Sequence, residues 1–174
     1  MVFLSVAVVI LTALVLIDLV LTGAVIRQLR DTEKQLVEMN TPPDTGMAPG
    51  ELMPEFVSPD SDLSRTDLAG KRTLVAFFST GCRHCPAQAE RLAERADEIA
   101  GRGITVVSVL GVSEGDTEEL SPLLRKAGRL ITENGSGEVA GAFRAFSTPT
   151  LLVFGEDGVL VANGHSLDEV LGGR

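Results

Sequence analysis

The sequence predicts an α/β sandwich with a mixed central β-sheet, preceded by one transmembrane helix. Three observations predict this fold class. An almost wholly apolar run fills residues 2–26, strand-like and helix-like segments alternate over residues 73–146, and a tight turn at residues 156–158 joins two further strand-like runs. Three strand–helix pairs, followed by a hairpin and a last helix, are the order of an α/β sandwich whose sheet is mixed.

The apolar run at residues 2–26 is long enough, at the rise of an α-helix, to cross a hydrocarbon core of ~30 Å. Asp18 is its one charged residue, and we interpret it as a tolerated polar residue on a single-pass anchor. A cleaved signal peptide fits poorly, because no Lys or Arg precedes the run, the run is too long, and no Ala-x-Ala-like site follows. We therefore predict an uncleaved anchor at residues 1–27 that lies in the lipid bilayer.

The chain after the anchor divides into a spacer and a soluble domain. Residues 27–39 carry many charges and contain no Gly or Pro, so the helix is expected to continue past the membrane. Residues 41–50 are rich in Pro and Gly, which is typical of an irregular, partly extended spacer. The predicted organisation is an anchor at residues 1–27, a juxtamembrane helix and spacer at 28–49, and a soluble domain at 50–174.

Local patterns place the elements of the soluble domain. Residues 104–110 are β-branched and nearly all apolar, as in a central strand covered on both faces. The preceding helix stops at the glycines of residues 101–103. The elements predicted in chain order are strand-like or turn-like pieces at 51–67, a turn at 67–71, a strand at 73–79, a helix at 87–100, a strand at 104–110, a helix at 117–127, a strand at 129–132, a helix at 137–146, a strand at 150–154, a strand at 159–162, and a helix at 167–171 capped by Ser166.

The only two cysteines, Cys82 and Cys85, lie between a strand-like run and a helix-like run. A C-x-x-C in that context is typical of a thioredoxin-type redox centre. The thiolate is the nucleophile, and the positive N-terminal end of a helix lowers the pKa of a thiol held there. We predict that Cys82 attacks a target disulfide and that Cys85, one helical turn further on, resolves the mixed disulfide.

Arg83 and His84 separate the two cysteines, and both favour negative charge close to sulfur. Each could instead be an exposed residue without a role. If they do tune the thiolate, they stabilise the reduced form, and the pair is then more oxidising than thioredoxin, whose potential is about −270 mV.

Three other interpretations of the cysteine pair remain open or are excluded. A zinc site built from both cysteines, His84 and His165 is conceivable, although the spacing to His165 is wrong for a compact finger. A structural disulfide without catalysis would close a very short loop and stabilise the fold weakly. Haem attachment is excluded because Pro86 stands where that motif needs His. We predict no metal and no cofactor.

The charge and the composition limit the kinds of partner that the chain is expected to bind. The net charge is −9, the isoelectric point is about 4.7, and the chain has no Trp and no Tyr. An acidic chain that lacks both Trp and Tyr is not expected to bind nucleic acid. The same charge argues against a surface that lies on anionic lipid.

Several motifs together resemble the TlpA/ResA-like thiol–disulfide oxidoreductases of the redoxin group, over about residues 50–172. The segments that carry the resemblance are 50–56 (GELMPEF), 68–71 (LAGK), 81–86 (GCRHCP), 146–150 (FSTPT) and 156–158 (EDG). The anchor followed by residues 27–29 (RQL) also resembles the MauD-type members, which assist disulfide formation during methylamine dehydrogenase maturation.

The resemblance implies a thioredoxin-like three-layer sandwich with Cys82 as nucleophile and Cys85 as resolving thiol. It implies a cis bond between Thr148 and Pro149, which would present the Thr148 backbone to an incoming peptide. A Pro at the start of a strand is also permitted on structural grounds alone. One departure is Gly81, which stands where the family usually has Trp before the first cysteine, and it affects how the edge of the site is covered and how a partner docks.

The resemblance also bears on location and partners. Arg27, Arg30 and Lys34 follow the apolar run, and the positive-inside rule alone would place the soluble domain in the cytoplasm. Family members generally face outward, and we expect the domain on the periplasmic or outer face of the cell membrane. The expected partners are exported proteins with thiols or disulfides, such as apocytochrome c or a dehydrogenase subunit, and a membrane or exported electron-transfer protein.

Two other functions stay open. A peroxiredoxin-like peroxidase expects Ser or Thr three residues before the reactive cysteine and Pro seven residues before it. Ser79 meets the first condition, whereas Val75 occupies the second position. A non-catalytic binding module is the other alternative, because a fold alone does not fix function.

Overall fold

The computed structural model describes residues 46–58, 63–112, 119–135 and 137–172. The predicted anchor, the predicted juxtamembrane helix and most of the predicted spacer lie outside the described residues. Within the described ranges, no helix combines the length and the apolar character that crossing a bilayer requires.

Five strands form one mixed sheet in the order β3–β2–β1–β4–β5. The parallel pairs are β1 with β2 and β2 with β3, and the antiparallel pairs are β1 with β4 and β4 with β5. The mixed central sheet predicted from the sequence is thereby confirmed. The strands are β1 (Arg72–Ser79), β2 (Ile104–Val112), β3 (Arg129–Asn134), β4 (Thr150–Phe154) and β5 (Leu160–Gly164).

Six helices are described, all of them ten residues or shorter. They are α1 (Arg65–Leu68), α2 (Cys85–Glu94), α3 (Ala96–Gly101), α4 (Leu120–Ala127), α5 (Glu138–Ala142) and α6 (Leu167–Leu171). The last helix has the predicted bounds, and Ser166 caps it by accepting a hydrogen bond from the backbone N–H of Glu169. β4 also has the predicted bounds.

Several predicted helix and turn boundaries are wrong, and three segments differ most. The single helix expected at residues 87–100 begins earlier, at Cys85, and is divided at Arg95, whose backbone (φ −94°, ψ 8°) leaves the helical region. The helix expected to reach residue 146 ends at Ala142, because Arg144 adopts a left-handed conformation with φ 52°. The turn expected at residues 67–71 is preceded by α1, since the Asp67 carboxylate accepts hydrogen bonds from the Ser64 backbone and hydroxyl.

The sheet separates two cores because successive side chains of a strand point to opposite faces. Along β1, Val75 and Phe77 join the core under α5 and the segment that starts at Met47, while Leu74, Ala76 and Phe78 join the core under α2, α3, α4 and α6. Cys85 belongs to the second core. β1 is therefore buried on both faces and delivers the chain to the first cysteine at its carboxyl end.

Candidate active site

The end of β1 fixes the position of Cys82. Its backbone N–H donates to the carbonyl oxygen of Ser79 at 3.1 Å, and its own carbonyl oxygen accepts from the backbone N–H of Cys85 at 3.2 Å. The N–H of Thr80 donates to the carbonyl oxygen of Gly111 at the end of β2, which ties the turn to the neighbouring strand. Both cysteines are thus held where the sheet ends and α2 begins.

Cys82 and Cys85 are joined by a disulfide, with their Cα atoms 5.4 Å apart. Their surroundings differ. The Cys85 side chain is fully buried against the core under α2, whereas Cys82 is half-buried at the surface. Of the two sulfurs, only that of Cys82 lies where a second protein can reach it, and the attacking role of Cys82 and the resolving role of Cys85 remain predictions.

Thr148 and Pro149 lie beside the disulfide. The antiparallel pairing of β1 with β4 places Thr150 opposite Phe77, so that the residues preceding β4 come to the end of β1. The carbonyl oxygen of Thr148 lies 3.2 Å from Sγ of Cys82. The bond between Thr148 and Pro149 is cis. The structure thus brings Thr148 and Cys82 together across 66 residues of sequence.

Arg83 and His84 are placed differently from the expectation that they surround the sulfur. Both side chains are exposed, and neither makes a hydrogen bond or an ion pair among the residues that the structure describes. His84 precedes α2 without forming a side-chain cap. Any influence on Cys82 must therefore act through solvent-screened charge, and their tuning role remains a prediction.

A cavity of about 210 Å³ opens beside Thr148. Its lining residues are Phe77, Phe78, Ser79, Val109, Gly111, Gly135, Ala140, Ala145, Phe146 and Thr148. Phe146 is 67 % exposed, an uncommon state for a large apolar side chain. Gly111 is required at the opposite wall, because a Cβ there would lie 2.7 Å from the carbonyl oxygen of Gly135. The site thus combines an accessible sulfur with an adjoining, partly apolar cavity.

His165 is a neighbour of the site that sequence reasoning considered only as a zinc ligand. It follows β5, and its Nδ1 lies 2.8 Å from the carbonyl oxygen of Pro149. Its backbone N–H donates to Oε2 of Glu169 at 2.7 Å, and this bond lowers the pKa of the Glu169 carboxyl below its ordinary range. The spacing of 16 residues between His165 and Pro149 gave no sequence signal for the contact, which depends on the pairing of β4 with β5.

The zinc alternative finds no support in the described part of the chain. No group of three or more His, Cys, Asp or Glu side chains lies close enough there to hold a metal ion. The two sulfurs form a disulfide, and Nδ1 of His165 is hydrogen-bonded to the carbonyl oxygen of Pro149. A disulfide with one accessible sulfur can exchange with a thiolate that reaches that sulfur.

Residues 49–163 match the AhpC/TSA family. No curated protein matches the chain at a significant level.

Many solved structures share the fold. The thioredoxin domain of a thiol-disulfide oxidoreductase from Bacteroides vulgatus superposes with a TM-score of 0.58 and 18 % identity, covering 72 % of this chain and 94 % of that one. A thiol:disulfide interchange protein of the thioredoxin family from Chlorobium tepidum gives 0.51 and 21 %, covering 68 % and 87 %. A secreted disulfide oxidoreductase from Mycobacterium tuberculosis gives 0.50 and 16 %, covering 68 % and 87 %. These similarities confirm the predicted thioredoxin-like fold.

Proposed function

The chain belongs to the AhpC/TSA family, and from that premise we propose that it is a thiol–disulfide oxidoreductase that exchanges disulfides with other proteins through Cys82 and Cys85. One observation carries the proposal. A half-buried Cys82 is paired with a fully buried Cys85 at the start of α2, with the carbonyl oxygen of Thr148 beside the outer sulfur. A merely structural disulfide has no need for an accessible sulfur beside an open cavity.

The reaction starts from the reduced pair. The thiolate of Cys82, favoured by the positive end of α2, attacks one sulfur of a target disulfide, and the other target sulfur leaves as a thiolate. Cys85 then loses its proton and attacks Sγ of Cys82, which releases the second target sulfur and forms the Cys82–Cys85 disulfide. The target gains two electrons and the enzyme loses two. Run in reverse, the same steps oxidise a target dithiol, and a dithiol or disulfide donor protein must restore the starting state.

The surroundings of Cys82 suit an extended peptide as substrate. The Thr148 backbone lies beside the reactive sulfur, and the exposed ring of Phe146 borders the cavity on the same side. Residues that flank the cysteine of a target protein can contact Phe146 while the target sulfur approaches Cys82. Gly81 leaves the other side of the site uncovered by a large side chain, so that a target meets little obstruction there.

We place this activity at the membrane, on the outer face of the cell. The apolar run at residues 2–26 and the resemblance to TlpA/ResA-like proteins support tethering and an outward orientation. A protein of the same fold from Mycobacterium tuberculosis is secreted, which also favours this orientation. The substrates are then exported proteins, with apocytochrome c and a dehydrogenase subunit as the two specific candidates, and the electron donor is a membrane or exported protein.

The proposal is tested with the full-length chain in detergent and insulin as the disulfide substrate. Wild type should reduce insulin disulfides with dithiothreitol as donor, and Cys82→Ser should abolish the protein-dependent rate. After dithiothreitol is removed, reduced Cys85→Ser should accumulate a mixed disulfide with insulin, which runs as one species on non-reducing gels and is cleaved on reducing gels. A fully active Cys82→Ser protein would overturn the proposal. If the remaining thiol reacted with insulin in neither variant, the proposal would also be overturned, and a non-catalytic binding module would be left.

A peroxidase is the second candidate, favoured by Ser79. Its hydroxyl lies at the mouth of the site, accepting a hydrogen bond from the backbone N–H of Gly81 at 3.3 Å, three residues before Cys82. Val75, in the position where that chemistry expects Pro, is buried in the core instead. Consumption of hydrogen peroxide by the reduced protein, at a rate comparable to insulin reduction, would favour the peroxidase.

A further inference from the structure

His165 touches the active-site backbone from the far edge of the sheet. Its Nδ1 lies 2.8 Å from the carbonyl oxygen of Pro149. A carbonyl oxygen only accepts hydrogen bonds, so Nδ1 carries the proton and donates it. Because a protonated imidazole also carries a proton on Nδ1, this hydrogen bond exists in both charge states of the ring.

His165 is exposed, and the backbone that carries its ring is held in place. The N–H groups of His165 and Ser166 donate to Oε2 of Glu169, at 2.7 and 3.2 Å, and Gly164 pairs with Leu151 at the start of β4. The turn between β5 and α6 is thus fixed both to the last helix and to β4. From this turn the ring reaches the residue that precedes β4.

The contact acts on the part of the backbone that faces the reactive sulfur. Pro149 follows Thr148, whose carbonyl oxygen lies 3.2 Å from Sγ of Cys82. On the other side of the segment, the Thr150 hydroxyl donates to the carbonyl oxygen of Ser147 at 2.7 Å. Between them, His165 and Thr150 tie down both ends of residues 147–149.

We propose that His165 is a positioning residue, whose hydrogen bond to Pro149 holds the backbone of residues 148 and 149 where a disulfide-bearing peptide docks against Cys82. This role rests on the proposed thiol–disulfide exchange. It does not involve the chemistry of the sulfur itself. Loss of the hydrogen bond should therefore slow the reaction with a peptide disulfide and leave the reactivity of Cys82 toward a small reagent unchanged.

Two substitutions separate the hydrogen bond from the bulk of the ring. The amide nitrogen of His165→Asn occupies nearly the place of Nδ1 and can donate to Pro149, whereas His165→Leu fills the space without a donor. Reduction of an extended peptide with one internal disulfide should be roughly tenfold slower in His165→Leu, because the net free energy of one hydrogen bond corresponds to a rate change on that scale. The rate in His165→Asn should stay within about threefold of wild type on the same scale. Alkylation of Cys82 by iodoacetamide should be equal in all three proteins.

The hydrogen bond itself is tested without any activity assay. Nitrogen-15 NMR of the imidazoles should show His165 protonated at Nδ1 when neutral, and because the chain has only two histidines, His84→Gln assigns the signals. A neutral ring protonated at Nε2 overturns the proposal, even if His165→Leu fails to fold.

The rate measurements distinguish failure of the positioning role from failure of the proposed function. Equal peptide rates in wild type and His165→Leu, or alkylation slowed as much as peptide reduction, overturn the positioning role alone. A wild-type protein that alkylates readily but reduces no peptide disulfide overturns the proposed function, and the positioning role is lost with it.

Discussion

The site has two halves that differ in how the chain builds them. The motif half, residues 81–86, comes from one continuous turn at the start of α2 and supplies both sulfurs. The strand half, residues 146–150 with His165, lies where the chain enters β4 and leaves β5, and it supplies the backbone beside Cys82, part of the cavity wall and the hydrogen bond to Pro149. The comparison teaches that the local sequence brings the two sulfurs together, while strand pairing brings together the surface that we propose contacts a substrate.

The strand half depends on aromatic packing, and Phe143→Ala should have the largest effect on stability. The ring of Phe143 is fully buried and lies 5.3, 5.4 and 5.9 Å, between centroids, from the rings of Phe56, Phe77 and Phe154. Its removal leaves a cavity and should lower the free energy of unfolding by about 3–5 kcal/mol. Urea denaturation followed by circular dichroism measures this, because the chain has no Trp or Tyr to report by fluorescence.

Phe143→Leu is the control for that prediction and should cost clearly less, about 1–1.5 kcal/mol, because an apolar side chain still fills most of the space. Equal losses in the two variants would show that the aromatic cluster does not support the strand half.

Phe146→Ser should separate substrate contact from stability. Its ring is exposed, so its loss should leave the urea midpoint unchanged. Reduction of a peptide disulfide with apolar flanking residues should become about tenfold slower, because the free energy gained by burying part of a Phe side chain is on that scale. Val161→Ser is the matched control, since Val161 is 55 % exposed on β5 and does not line the cavity. An equal slowing in both variants would show that the cavity beside Phe146 does not contribute to substrate contact.

Replacing both Arg83 and His84 by Ala should have a smaller effect on the motif half. Both side chains are exposed, and charges in water are screened over about 10 Å at 0.1 M salt. Alkylation of Cys82 should slow by about threefold at low ionic strength and by little at 1 M salt. A loss that persists at high salt would point to a direct contact with sulfur.

Glu169→Gln should have the smallest effect, and it should depend on pH. The His165 backbone N–H lowers the pKa of Glu169 from its ordinary value of 4.5. The carboxylate thus stabilises the folded state above about pH 4.5, and this contribution is lost as the pH falls through the folded-state pKa. Glu169→Gln should lower the free energy of unfolding at pH 7 by roughly 0.5 kcal/mol, as expected for an exposed charge. Thermal melts at pH 7 and pH 3 check whether the difference between the proteins disappears in acid.

The two halves also differ in what the sequence could predict. Apolar runs and turn residues predicted the five strands and the cap at Ser166, because those signals are local. Helix ends set by single backbone angles, at Arg95 and Arg144, gave no comparable signal. The C-x-x-C predicted the pairing of sulfurs, because a spacing of three places both on one turn.

Contacts over long separations were harder to predict. The approach of Thr148 to Cys82 was implied only by a family resemblance, since 66 residues separate them. The bond from His165 to Pro149 and the cavity beside Phe146 depend on the register of β4 with β1 and β5, which composition does not specify. Arg83 and His84 show the converse, because closeness in sequence to Cys82 did not bring their side chains into a described contact with it.

The most direct test of the account is competitive alkylation of the reduced full-length chain across pH, with the two cysteines resolved by mass spectrometry. We expect Cys82 to be labelled at least about tenfold faster than Cys85, with half its maximal rate reached below about pH 7.5, as for a thiol at a helix N-terminus. Equal labelling of the two thiols, or a half-maximal rate at Cys82 near pH 8.5 as for an ordinary cysteine, would contradict the account.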